Sequence, residues 1–337
     1  MKALFIGGTG TISTEITKLC LRKGWDLTLL NRGNTPLPEG AKGIQADISK
    51  EDEVRELLKG QSWDVVADFI VFTPEQLERD IRLFEGACGQ YFFISSASAY
   101  QKPLSSPWIT EGTPLHNPYW EYSRNKAACE RILRDAYDRR GFPVTIIRPS
   151  HTYCERSLPV AVHGRMGSFQ VLERIRLGKR IIIPGDGTTL WTLTHSRDFA
   201  VAFEGLMGNP HAFGETFHIT GDESLTWNQI HECAGRALGQ EVHAVHIPSE
   251  TLGRLWPDMV GNLIGDKSNT VLFDNTKVKR AVPAFATRTL FAQGARECVD
   301  YIYSHPECQV PDPEFDSWCD RMLEAWDRAE ASFPAFP

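Results

Sequence analysis

The sequence predicts an α/β fold: a doubly wound parallel sheet with a smaller, mostly helical C-terminal lobe. Three observations predict it. Short β-branched or aromatic-rich runs alternate with helix-length segments through the first half. The first run ends in a glycine-rich turn, FIGGTGTIS, at 5–13. The alternation stops near residue 155, beyond which the chain becomes helical and aromatic. Parallel neighbours need crossover connections of about a dozen residues or more, and these runs are spaced accordingly.

Taken in order, strands are expected at 2–8, 26–32, 43–47, 64–70, 91–96 and 144–150, each an apolar run bounded by polar or glycine-containing segments. Beyond 155 a helix is expected at 167–178, a turn at PGDG (184–187), a helix at 196–207 and a strand at 216–221. A final helix over 314–330 sets Phe315, Trp318, Met322 and Trp326 at spacings of three and four, an apolar stripe suited to docking. The expected organisation is a dinucleotide-binding domain over 1–155 with 188–222 returning to it. The remaining segments, 156–187 and 223–337, form the substrate lobe.

Composition narrows the function classes. The chain is 42% apolar and 23% charged, with no apolar run of membrane-spanning length, so no membrane partner is expected. Its net charge of -7 weighs against a phosphate backbone as main partner. The eight cysteines show no CxxC pair, and the N-terminus reads as a strand and not as a secretory leader; a reduced, cytoplasmic setting is expected. No metal site is expected, because His243 and His246 would face opposite sides of a strand.

The chemistry is carried by two stretches. In FIGGTGTIS, Gly7, Gly8 and Gly10 allow a tight turn and close approach to a pyrophosphate at a helix N-terminus. Ser13 stands where the third glycine of the pattern would be. At the end of the second strand Asn31 and Arg32 replace the usual ribose-binding acid. That removes repulsion toward a 2'-phosphate and offers it a guanidinium, so NADP is favoured over NAD. Asp47, ending the third strand, could accept a hydrogen bond from the adenine amino group. In EYSRNKAACE (121–130), Tyr122 and Lys126 lie one turn apart on one helix face. A phenol titrating near 10 needs about 4 kcal/mol of anion stabilisation to reach neutrality, and an adjacent ammonium supplies much of it. Such a phenol could take a hydroxyl proton while hydride leaves the same carbon. Upstream, FFISSASAY places Ser96 and Ser98 at a strand end, where a hydroxyl could reach the reacting oxygen.

A glycine-rich first turn, a serine after the fifth strand and Tyr-x-x-x-Lys on the next helix together resemble the extended, sugar-epimerase-like branch of the short-chain dehydrogenase/reductase superfamily. The resemblance covers most of the chain. It implies a Rossmann domain, a nicotinamide cofactor and a Ser96, Tyr122, Lys126 catalytic set, since the family's serine falls four residues before Tyr100. It also implies cofactor contacts from Gly7, Gly10, Thr11, Ile12, Asn31, Arg32, Asp47, Ile48, Tyr122, Lys126 and Pro149, and substrate contacts from Ser98, His151 and Trp191. Relatives pair through a bundle that includes the Tyr122 helix, so a homodimer is expected.

Three departures redirect the expected substrate. Sugar dehydratases carry Asp-Glu after the serine, whereas Ala97 and Ser98 follow here. Relatives that clamp a nucleoside diphosphate use two arginines, at whose positions Trp191 and Leu263–Ile264 stand. The expected reaction is therefore redox or epimerisation at a carbinol or ketone carbon of a sugar-like or polyol substrate, neither a 4,6-dehydration nor chemistry on a standard nucleoside-diphosphate sugar. The segments NRG and FDNTK also resemble the chloroplast stem-loop-binding proteins, in which the same fold serves RNA binding. That is the alternative function.

Overall fold

The structure, a computed structural model, describes residues 1–334. These fall into two compact units. The first comprises Met1–Tyr153, Thr192–Asp222 and Val271–Arg288; the second comprises Cys154–Trp191, Glu223–Thr270 and the chain from Thr289 on.

The first unit is built on seven strands: β1 (Lys2–Ile6), β2 (Asp26–Asn31), β3 (Lys42–Gln45), β4 (Val65–Asp68), β5 (Tyr91–Ile94), β6 (Val144–Pro149) and β7 (Glu215–Ile219). They are ordered β7-β6-β5-β4-β1-β2-β3 and every pairing is parallel. The order reverses between β1 and β4, which opens the crevice where such sheets bind ligands. The strands β1, β4 and β5 are buried on both faces, as their continuous apolar runs require. One face packs under α1 (Ser13–Arg22) through Phe5, Ile16, Leu29, Phe92 and Phe203. The other packs under α2 (Glu51–Leu58), α3 (Pro74–Phe84) and α4 (Glu121–Arg140) through Leu4, Val54, Leu77, Phe93 and Leu133. Helix α3 starts at a capping box in which Thr73 and Gln76 satisfy each other's main-chain N–H groups. Gly141, left-handed at φ 67°, stops α4.

The expected division placed 223–337 wholly in the second lobe, but Val271–Arg288 clusters with the first unit. The reason is local. Leu272–Phe273 pairs with Trp108–Ile109. The buried Asn275 amide accepts from Thr220 Oγ1 at 2.9 Å and donates to the Thr220 carbonyl at 2.9 Å. Val278, Val282 and Phe285 then enter the core beneath the sheet.

In the second unit Ile181–Pro184 pairs in parallel with Ala244–Ile247. The C-terminal helix Pro313–Ala331 is pinned to α5 (Phe169–Arg176) by the buried Arg174, which bonds Asp316 at 2.6 Å and Asp320 at 2.8 Å. Its buried line is Phe315, Cys319 and Leu323, flanked by the half-buried Trp318, Met322 and Trp326. The expected stripe is thus rotated toward the smaller side chains, which allow closer packing. No helix among the described residues is long and apolar enough to cross a membrane.

Candidate active site

The turn after β1 takes the shape its glycines permit. Gly7 and Gly8 have φ of 99° and 78°, and a Cβ on Gly8 would come within 2.7 Å of Leu29 Cδ2. Thr17 Oγ1 ties the Gly8 carbonyl at 2.8 Å. Ser13 acts on the turn directly, because its Oγ accepts the Gly10 N–H at 2.9 Å. The substitution therefore adds a brace as well as preserving the close start of α1. Thr11 is exposed and Ile12 half-buried beside it.

A cleft of about 420 Å³ runs from this turn across the ends of β2, β3 and β4, lined by Gly7, Asn31, Arg32, Asp47, Ile48 and Arg79 among others. Asn31 Oδ1 accepts the Gly33 N–H at 3.0 Å, while its Nδ2 is buried with no hydrogen-bond partner. Such an orphaned donor needs an acceptor from outside the chain. Asp47 Oδ1 accepts from the Ser49 N–H and hydroxyl, which hold its carboxyl below the usual range. A glycine cradle, a buried unpartnered amide donor on Asn31 and an ionised Asp47 carboxylate lining one cleft have the chemistry to fit a dinucleotide.

Tyr122 and Lys126 rise from the first turns of α4 toward the same end of the sheet. Lys126 is 2% exposed. Its Nζ donates to the carbonyls of Val71 at 2.5 Å and Ile94 at 2.7 Å, leaving one N–H. The rings of Phe72, Phe93 and Tyr122 surround it with centroids at 4.8, 5.0 and 5.6 Å. Burial pulls its pKa down to about 8, against the nearby Cys129, Asp68 and Glu130, which raise it. Trp120 flanks the Tyr122 ring at 5.0 Å.

The serines form a chain. Ser123 Oγ donates to Ser98 Oγ at 2.8 Å, and Ser98 Oγ lies 2.8 Å from Ser96 Oγ. The Ser98 N–H also reaches Ser96 Oγ, at 3.1 Å. Ser98 is 4% exposed and lies beneath Ser96, so its hydroxyl supports Ser96 in place of the substrate contact expected of it. Sequence reading missed Ser123 and Phe72, because neither sits at a motif position.

A buried cluster fixes this corner. Arg148 bonds Glu130 through Nε at 2.9 Å and Nη2 at 2.6 Å, and Ser95 Oγ donates to the same carboxylate. Arg148 Nη1 reaches the Tyr100 hydroxyl and the Glu111 carbonyl, both at 2.9 Å, and Tyr100 is bonded to His218 Nε2. The cluster joins α4 to the segment bearing Ser96 and to β6 and β7. Pro149 is buried at the end of β6, and His151 is half-buried in a short strand paired with Leu193. In the second unit the Trp191 indole is 4% exposed and packs on Trp227 at 5.4 Å; its Nε1 is buried with no hydrogen-bond partner.

Residues 3–219, more than half of the chain, match the NAD dependent epimerase/dehydratase family. The chain is 26% identical over 265 residues to the chloroplast stem-loop binding protein of 41 kDa b of Arabidopsis thaliana, covering 73% of this chain and 65% of that protein. It is 29% identical over 169 residues to a UDP-glucose 4-epimerase of Lactobacillus helveticus, covering 44% of this chain and 51% of the relative. It therefore spans between 51% and 65% of the length of these relatives. Among solved structures, UDP-glucose 4-epimerase from Bifidobacterium longum in complex with NAD+ and UDP superposes with a TM-score of 0.72 at 16% identity, covering 91% of this chain and 100% of that one. At that identity the likeness is one of fold. Together with the glycine turn and the Tyr122–Lys126 face, the family match settles the classification: this chain belongs to the NAD dependent epimerase/dehydratase family.

Proposed function

We propose that the chain is a nicotinamide-dependent epimerase or oxidoreductase acting at a carbinol or ketone carbon of a sugar-like or polyol substrate. The observation that carries this is the state of Ser96. Its Oγ lies within hydrogen-bond reach of both the Ser98 N–H and the Ser98 hydroxyl, and Ser98 in turn accepts from Ser123. The Ser98 N–H fixes one Ser96 lone pair, and the Ser123 proton on Ser98 Oγ favours the arrangement in which Ser96 keeps its own proton for an outside oxygen. A hydroxyl so held donates to an oxygen and polarises it, which suits a carbonyl forming or being reduced.

When bound, the nicotinamide ring supplies hydride transfer. The protein supplies the rest. Tyr122 gives or takes the proton on the substrate oxygen, Lys126 holds positive charge beside it, and the remaining Lys126 N–H is available to a ribose hydroxyl. Asn31 Nδ2 and Arg32 offer donors where an NAD-selective site offers a carboxylate, which supports NADP. The buried Trp191 N–H offers a neutral donor where diphosphate-binding relatives hold a charge, which supports an uncharged substrate group there.

The test is Tyr122→Phe, assayed by nicotinamide fluorescence for cofactor binding and by cofactor reduction or oxidation with a panel of polyols and ketoses. Binding should persist while turnover falls by about 10²–10⁴. Turnover within a few-fold of wild type would remove Tyr122 from its role. A second reading, RNA binding, is favoured by the stem-loop binding relative, whose match covers more of this chain than that of the epimerase. Against it, FDNTK is engaged internally: besides Asn275, Lys277 bonds Glu215 at 2.6 Å and the Thr216 carbonyl at 2.8 Å. Stem-loop RNA bound in the absence of any dinucleotide affinity would favour the second reading.

A further inference from the structure

Asp68 ends β4 in the middle of the sheet, in register with Ile6, immediately before the glycine turn. It is 1% exposed. Its Oδ1 accepts the Ile70 N–H at 2.6 Å. Its Oδ2 is buried, receives no N–H or O–H, and lies 3.6 Å from Arg79 Nη2. Arg79 Nη2 stands between the two carboxyls, 2.5 Å from Asp80 Oδ1 and 3.6 Å from Asp68 Oδ2, and burial together with the neighbouring Asp80 charge favours the protonated form of Asp68. Asp80 already accepts from Arg79 Nε at 2.9 Å, Arg79 Nη2 at 2.5 Å and the Tyr91 hydroxyl at 2.6 Å. The oxygen of Asp68 free to carry a proton is therefore Oδ2. Arg79 Nη1 makes no hydrogen bond among the described residues, and Arg79 lines the cleft beside Gly7, Ile70, Phe72 and Gln76.

We propose that Arg79, whose Nη1 is left free at the cleft, is a further cofactor-binding residue, and that a proton on the neighbouring Asp68 leaves its charge available to the dinucleotide. With that proton in place the cluster of Asp68, Asp80 and Arg79 is neutral overall. Without it, two carboxylates outweigh one guanidinium beneath an anionic ligand. Cofactor binding therefore selects the protonated cluster and takes up a proton as pH rises. Desolvation, with the Asp80 charge second, raises the Asp68 pKa well above the usual carboxylate range, opposed by Arg79. The charged and titratable groups facing Asp68 are Arg79 and Asp80 from α3, Tyr91 from β5 and Lys126 from α4.

The inference rests on the dinucleotide reading above, and its test separates the two. Isothermal titration calorimetry of the full chain with NADPH and NADH, from pH 6 to 9 in buffers of different ionisation heat, gives both affinity and protons taken up. Wild type should bind more weakly as pH rises, by up to about tenfold per unit, the limit for one proton. Asp68→Asn, which mimics the protonated acid, should lose that part of the uptake and keep only the component from Lys126 near pH 8. Arg79→Gln should bind more weakly than wild type at pH 6. Identical uptake curves for wild type and Asp68→Asn would overturn the proposal. If Asp68→Asn does not fold, Tyr91→Phe replaces it: loss of a donor to Asp80 concentrates negative charge beside Asp68, holds its proton more tightly and should move the wild-type curve to higher pH, and an unmoved curve overturns the proposal equally. No binding by wild type at any pH would instead sink the dinucleotide reading itself.

Discussion

Two buried charge clusters sit on neighbouring strands of one sheet and differ in how completely they are hydrogen-bonded. In the cluster of Glu130, Arg148, Ser95, Tyr100 and His218, the guanidinium engages a carboxylate, a hydroxyl and a main-chain carbonyl. In the cluster of Asp68, Asp80 and Arg79, one carboxylate oxygen and one guanidinium nitrogen have no partner of the ordinary kind. The first lies beneath Ser96 and holds segments together. The second adjoins the cleft and is left with capacity for something else. Satisfied clusters stabilise a shape, and incompletely satisfied ones mark where the shape awaits a ligand.

The contrast can be broken or sharpened by mutation and pH. The largest effect is expected for Glu130→Ala, which strands the Arg148 charge in the interior and should lower unfolding free energy by about 3–5 kcal/mol in urea. A loss under about 1 kcal/mol, the size of a surface pair, would show that the cluster does not hold the fold. Next comes acid. Burial, aided by Arg148, depresses the His218 pKa to about 3. The unfolded chain then binds a proton below about 6.5 that the folded chain refuses. The stability contributed by neutral His218 is full above that value. It should decline by about 1.4 kcal/mol for each pH unit down toward 3, and His218→Gln should flatten this slope. The smallest effect is expected at Asp68, and its sign is opposite. A raised carboxyl pKa contributes stability that is full at low pH and lost as pH rises through the folded value. Asp68→Asn should therefore gain on wild type as pH rises above the ordinary carboxylate range, by on the order of 1 kcal/mol of unfolding free energy in urea. A constant difference between the two proteins over that rise would place the proton elsewhere.

What was legible in the sequence was local. The strands before residue 155, the left-handed glycine turn and the shared face of Tyr122 and Lys126 follow from periodicity and from residues at most a turn apart. What was not legible depended on contacts across the chain. Ser98 reads as equivalent to a substrate-facing hydroxyl until α4 brings Ser123 against it. Asp68 lies inside the expected strand at 64–70 and belongs to no motif, and nothing local marks Arg79 or Asp80 until the sheet and helix are packed. The stripe on Pro313–Ala331 was read from its large aromatics, whereas the close approach to α5 belongs to Cys319 and Leu323, with Arg174 choosing the face. The return of Val271–Arg288 had no local signal, since a buried Asn275 looks like any loop asparagine.

That return bears on the order in which the protein can be made. The family match ends at residue 219, yet the carbonyl of Thr220 finds its buried donor only when Asn275 arrives, and Phe285 later still. During synthesis the first unit stays unfinished until residue 288 has emerged from the ribosome, by which time most of the second unit has been made. The two units are thus interleaved in time, and neither can be shed or exchanged by a single cut in the gene.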